Sequence, residues 1–137
     1  MSETAPRIET QEQAAELLAS VPFHEALGLD LVEWREGAVT LRFRPPALVR
    51  SPGNGVVHGG ALMTALDTAA CFATISSVGT DCSTVDLRAD FLRPALDGEF
   101  RVEGNVLRSG RRFAWADATM ATLDSRVVAV ARGTFIW

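Results

Sequence analysis

One stretch constrains this 137-residue chain more than any other. Between Val56 and Ser77 it reads VVHGGALMTALDTAACFATISS, and Ala61, Leu62, Met63, Ala65, Leu66, Ala69, Ala70, Cys71, Phe72 and Ile75 fall on every side of a helical wheel. A helix that is apolar all round has to be enclosed by other elements. Its side chains are mostly small, so whatever encloses it packs close.

The rest of the chain supplies strands for that purpose. Leu29 to Trp34 reads as extended, Glu36-Gly37 as a turn, and in Ala38 to Arg44 the residues Val39, Leu41 and Phe43 alternate with Thr40, Arg42 and Arg44, the period of a half-buried strand. Pro45-Pro46 stops this hairpin, because proline cannot donate to a ladder. Beyond the helix, Ser83–Arg93, Glu99–Arg108, Arg112–Leu123 and Arg126–Trp137 are further strand candidates. Turn residues separate them at Pro94 with Asp97-Gly98, at Ser109-Gly110 and at Asp124-Ser125, which predicts an antiparallel meander of four strands. Upstream, Gln11–Ser20 has helical spacing at Ala14, Leu17 and Leu18, with Thr10 as N-cap. Val21, Pro22 and Phe23 end that helix. Residues 1–10 lack pattern and are expected to be mobile, with 11–137 as one domain. The order is helix, two strands, buried helix, four strands. Its economical packing is α+β: one antiparallel sheet of about six strands curled around a central helix at about 58–77.

Composition excludes several classes. The net charge is -4, all 13 basic residues are arginine, and no run of five like charges occurs, so neither a nucleic-acid arm nor an acidic tail is indicated. Cys71 and Cys82 are not a disulfide framework, and the lack of a CxxC argues against a metal knuckle or a redox pair. The acidic, polar start MSETAPRIETQEQ is unlike a signal peptide, and the apolar stretch carries Asp67 and two threonines, a poor membrane span. A cytoplasmic protein is expected. No GxSxG elbow, Rossmann or P-loop fingerprint is present. With only His24 and His58 available, no metal site is expected, and His24 reads as structural.

Asp67 is the anomaly. Aspartate is almost never fully buried without a use, and an unpaired buried carboxylate costs several kcal/mol or takes a raised pKa. That marks a general base or a nucleophile, against the plainer reading of a bond to Thr64, Thr68 or an arginine. His58-Gly59-Gly60 opens the same helix, and glycines there leave N–H groups at the positive end of the helix dipole unshielded, suited to a polarised carbonyl. His58 and Asp67 are nine residues apart. At about 1.5 Å and about 100° per residue they sit roughly 13.5 Å apart along the axis and on opposite sides. They cannot form a dyad within one chain, so either one is not catalytic or the site combines two subunits related by a two-fold axis.

The stretch NGVVHGGALMTALDTAA resembles the signature of hotdog-fold acyl-CoA thioesterases, in particular the phenylacetate-pathway (PaaI-like) branch of the 4-hydroxybenzoyl-CoA thioesterase superfamily. The interval from Gly60 to Asp67 matches, Phe23–Gly28 resembles the lead into the family's first strand, and Ser83–Pro94 resembles its strand after the helix. The resemblance implies hydrolysis of an acyl- or aryl-CoA to free acid and CoA without a cofactor. Asp67 would be base or nucleophile, the N–H of Gly59 or Gly60 on another subunit would polarise the carbonyl, His58 would shape the loop, and Thr84 would lie near the water. Relatives carry an Asn six residues before the His. Here Pro52 fills that place and Asn54 stands four before, so Asn54 is either a shifted site residue or a turn residue. Arg108, Arg111 and Arg112 cluster at one turn and suit CoA phosphates, or else form a solvated tip; Arg88 and Arg93 are weaker candidates. Met63, Phe72 and Trp115 are candidate pocket residues. A homodimer is expected at least, with a tetramer as a dimer of dimers open. Two other readings stay in view: a non-catalytic acyl-CoA-binding module, and a hydratase of the same fold.

Overall fold

The computed structural model describes residues 5–137. Its elements are α1 (Gln11–Ala19), α2 (Pro22–Leu27), β1 (Leu29–Arg35), β2 (Ala38–Phe43), a 3-10 turn (Ala47–Val49), α3 (Gly59–Val78), β3 (Ser83–Phe91), β4 (Phe100–Ser109), β5 (Phe113–Thr122) and β6 (Val127–Ile136). The six strands form one antiparallel sheet in the order β1-β2-β4-β5-β6-β3. The expected α+β arrangement of about six strands around one central helix is present.

Helix α3 lies along the concave face, and Ala65, Leu66, Ala69, Ala70, Ala73 and Ile75 are buried there. They meet the inward side chains of β2, β4, β5 and β6, among them Leu41, Phe43, Phe100, Val102, Met120, Val128 and Phe135. The alternation read from the sequence in β2 is reproduced: Val39, Leu41 and Phe43 are buried and their neighbours are not. The closest approach is at Gly104 in β4, where a Cβ would stand 2.1 Å from the backbone oxygen of Ala69. The helix rests on the sheet backbone itself there.

Three differences from expectation have physical reasons. The strands after α3 do not form a four-strand meander, since only β4, β5 and β6 are successive neighbours, while β3 pairs with β6 and β4 pairs with β2. Residues 92–99 therefore carry the chain from one part of the sheet to another, and their turn-forming residues serve a longer link. Second, Val21-Pro22-Phe23 does more than end α1. Proline at the first helical position starts α2, which Gly28 closes at φ 75°. Third, of the ten residues expected to be mobile, residues 1–4 lie outside the described residues, whereas Ile8 donates its N–H to Gly79 O at 2.9 Å and packs against the core.

β3 is an edge strand that pairs on one side only, and most of its residues are exposed, including Val85 and Phe91.

The Gly104 contact yields a stability prediction. Gly104→Val forces a branched side chain into the Ala69 carbonyl, which the backbone cannot yield cheaply; a loss of about 3 kcal/mol or more is expected in denaturant melts. An unchanged midpoint would contradict the packing.

Candidate functional site

Two groups of polar atoms lie on α3, one at its middle and one at its start. The first is Asp67 with Thr84. The Thr84 hydroxyl donates to Asp67 Oδ1 at 2.7 Å, joining the middle of α3 to the start of β3. Asp67 is half-buried, and burial pushes its carboxyl above the ordinary carboxylate value, with the Thr84 bond and the charge of His24 opposing that rise. Thr64 and Thr68, the plainer partners for Asp67, turn their hydroxyls to backbone oxygens one turn back, Gly60 and Thr64 respectively.

The second group is the start of α3. His58 is the N-cap, and its Nδ1 accepts from the Gly60 N–H at 2.9 Å. Its own N–H donates to Val49 O at 2.7 Å, and its carbonyl accepts from Ala61 and Leu62. The Gly60 donor is thus already engaged, while among the described residues none accepts from the N–H of Gly59. The two glycines, equivalent in the sequence, are separated by this detail. Behind Gly59 stands the ring of Phe91, 3.4 Å from where a Cβ would be.

A cavity of about 710 Å³ opens at this helix start. Phe23, Leu27, Leu48, Val49, Val56 and Val57 give it apolar walls, and His58, Gly59, Gly60 and Thr64 form the helix side. Leu27 and Val57 are buried, whereas Leu48 and Phe23 are exposed at its rim. Such a lining suits an apolar ligand with a few polar fixing points.

Asn54 lines the same cavity, but its side-chain oxygen accepts from Val56 N–H at 3.1 Å, holding its own turn. Met63, Phe72 and Trp115 do not line it. Phe72 is buried, edge-on to His24 at 6.3 Å between ring centres, and His24 Nδ1 is fixed by Leu18 O at 2.8 Å. The arginines of the β4–β5 tip are exposed and stand at the other end of α3: Gly37, beside β4, donates to Ser76 near the helix's last turn. Arg108 lies over the Trp115 ring at 5.9 Å. Arg88 is engaged with Asp90. Within one chain, then, the structure joins Asp67 to Thr84, gathers His58, Gly59, Gly60 and Asn54 at the cavity, and brings neither set to Arg108, Arg111 and Arg112. Among the described residues no group of three His, Cys, Asp or Glu side chains could hold a metal ion.

Sequence reading missed Arg50. Its guanidinium donates only to backbone oxygens: Pro45 at 3.2 Å, Gly55 at 3.0 Å, Leu96 at 3.3 Å and Asp97 at 2.5 Å. One side chain ties the end of the β2 exit, the cavity loop and the β3–β4 link together. A single arginine in a polar loop carries no pattern that announces this.

This fold is shared with known proteins. Residues 54–130 match the model of the Thioesterase superfamily. The medium/long-chain acyl-CoA thioesterase YigI of Salmonella typhimurium is 30% identical over 93% of this chain and 96% of its own length. A solved thioesterase-superfamily protein is 31% identical with a TM-score of 0.87, over 92% of this chain and 96% of that one. The PaaI protein of the Escherichia coli phenylacetic acid degradation operon, at 24% identity and a TM-score of 0.80 over 93% and 95%, shares the fold. The architecture is the hotdog fold, and the chain belongs to the thioesterase superfamily. It is accordingly an enzyme of thioester hydrolysis.

Arg50→Met keeps the aliphatic stem and removes all four tethers. It is expected to cost about 2–4 kcal/mol and to raise KM more than it lowers kcat, because the cavity loop loosens while Asp67 stays in place. Paired thermal melts and steady-state kinetics decide this, and a wild-type KM would refute the tethering role.

Proposed function

We propose that this thioesterase hydrolyses medium- to long-chain aliphatic acyl-CoA to the free acid and CoA, with Asp67 as general base. The carrying observation is the Asp67–Thr84 pair: a half-buried carboxylate of raised pKa with one oxygen occupied by a hydroxyl and the other free to receive a proton. A base is most effective when its pKa approaches the working pH. In the proposed reaction, water adds to the thioester carbonyl as its proton passes to Asp67, the Gly59 N–H at the positive end of the helix dipole stabilises the oxyanion, and the tetrahedral adduct expels the CoA thiolate, which takes a proton. Cavity walls that are aliphatic apart from Phe23, and the activity borne in the name of the Salmonella relative, favour an alkyl chain over an aromatic ring.

Asp67 and Gly59 of one chain are eight residues apart, about 12 Å along the helix, too far to act on one carbonyl. The edge strand supports a solution in a homodimer. Thr84, which holds Asp67, is near the start of β3, and Phe91, which backs Gly59, is at its end. If β3 pairs antiparallel with its own copy across a two-fold axis, each Thr84 comes beside the other Phe91, and each Asp67 beside the other Gly59. Two identical sites result. The same pairing carries the β4–β5 tip of one chain toward the cavity of the other, which favours Arg108, Arg111 and Arg112 for the CoA phosphates. A non-catalytic binding module has no use for the half-buried carboxylate, and the hydratase reading is disfavoured because His58, the acid's only nearby His in such a dimer, already spends its Nδ1 accepting from Gly60 N–H.

Asp67→Asn is expected to lower kcat on dodecanoyl-CoA at least about 100-fold with assembly intact. Stability should rise slightly near neutral pH: burial raises the folded-state pKa, so stability is full at pH values below the unfolded value and is lost as pH rises through the raised one, a loss the amide does not suffer. For the same reason the acid limb of kcat/KM should lie above the ordinary aspartate range, and Thr84→Val, which deletes the bond opposing the rise, should move it higher still. Unaltered turnover in Asp67→Asn disproves the assignment.

Gly59→Pro removes one N–H at a first helical position where proline is tolerated, after a His58 already extended at φ -59°, ψ 134°. Turnover should drop about 100- to 1000-fold. Co-expressed in equal amounts, Asp67→Asn and Gly59→Pro chains should recover about a quarter of wild-type activity, since half the dimers are mixed and one of their two sites is intact. No recovery, with mixed dimers verified by mass, argues that sites are not shared.

A further inference from the structure

We propose that Cys71 and Cys82 form an oxidisable dithiol that closes to an intramolecular disulfide and thereby slows the neighbouring Asp67 site. The two sulfurs face each other at 3.0 Å, and each also approaches the other residue's carbonyl oxygen, at 3.7 and 3.6 Å. Both cysteines are free and neither is fully buried. The gap exceeds a disulfide bond by about 1 Å, a distance that rotamer adjustment can close.

Their position gives the pair its interest. Cys71 is one turn beyond Asp67 on α3, and Cys82 is two residues before Thr84, at the entry to β3. The thiols therefore bridge the same two elements as the Asp67–Thr84 hydrogen bond, one step along. Closing them draws helix and strand together beside a carboxylate already held at 2.7 Å. A carboxylate pressed onto its hydroxyl partner is a weaker base, so water activation slows.

The chemistry balances with a peroxide as oxidant. Cys71 is the poorer nucleophile to begin: its hydrogen bond with Cys82, its burial and the charges of Cys82, Asp67 and Asp81 all hold its proton. The Cys82 thiolate attacks a peroxide oxygen, hydroxide leaves and takes up a proton to form water, and Cys82 becomes a sulfenic acid. Cys71 sulfur then attacks Cys82 sulfur, and its proton leaves with the sulfenic hydroxyl as a second water. Two electrons pass from the sulfurs to the peroxide, and dithiothreitol reverses the change.

The coupling to turnover rests on the proposed role of Asp67, while formation of the bond does not. The experiment treats the purified full-length protein with limiting hydrogen peroxide and reads intact mass, free thiols and dodecanoyl-CoA turnover. A loss of 2 Da and of both titratable thiols is expected, with kcat reduced several-fold and restored by dithiothreitol. Closing a loop of about a dozen residues should also raise the melting temperature by several degrees. Cys82→Ser and Cys71→Ser should each keep basal kcat, lose the 2-Da change and resist mild oxidation. Oxygen adducts without the 2-Da loss, or a disulfide between two chains on a non-reducing gel, would overturn the pair. A disulfide that forms while kcat stays constant would overturn its effect on the site.

Discussion

The structure depends on the enclosure of α3 by its own sheet. An all-apolar helix in water is a liability, and six strands curling around it convert that liability into a core. The residues that make this work are the small ones. Alanines at 65, 69, 70 and 73 bring the helix axis close to the sheet, and Gly104 removes the last side chain between them. Because α3 cannot shift without losing this packing, everything mounted on it is held firmly, including a charged group that the packing alone would reject.

From that fixed helix the polar atoms acquire meaning. A carboxylate on a mobile surface helix would be solvated and weakly basic. On α3 it is partly withdrawn from water, anchored by one hydroxyl and raised in pKa. The helix start is fixed equally well, since His58 caps it through Gly60 and through Val49, leaving the Gly59 donor unspent. The length of α3 separates these two assets within a chain, and the unpaired edge of β3 offers a second copy the means to reunite them. Site and assembly, in the proposed reading, are one problem solved by one strand.

Much of this was legible in the sequence. Periodicity located α3 and the strands, the isolated Asp67 stood out as an anomaly of its helix, and helix geometry alone ruled out a His58–Asp67 dyad within a chain. What failed did so for physical reasons. Pro94 and Asp97-Gly98 signal that the chain turns, and nothing in them says how far it travels afterwards, so they do not reveal that β3 pairs with β6. Pro22 looks like a stop in the sequence and is a helix start in the structure. Cys71 and Cys82 lack a contiguous motif, because a helix end and the Gly79 bend bring them together. Arg50 acts on backbone oxygens, which every residue possesses, and so leaves no partner to recognise. The difference between Gly59 and Gly60 is a single rotamer of His58.

The tight seat at Gly104 also limits how this enzyme can diversify. With the helix bedded on bare backbone, the inner wall of the cavity proposed to take the acyl group can neither sink nor lift. Variation has to come from the opposite wall, the segment from Leu48 to Val57, whose conformation is set chiefly by one arginine grasping carbonyls. A lineage seeking new substrates, or an engineer imitating one, would accordingly remodel that outer rim and leave the bed of the helix untouched.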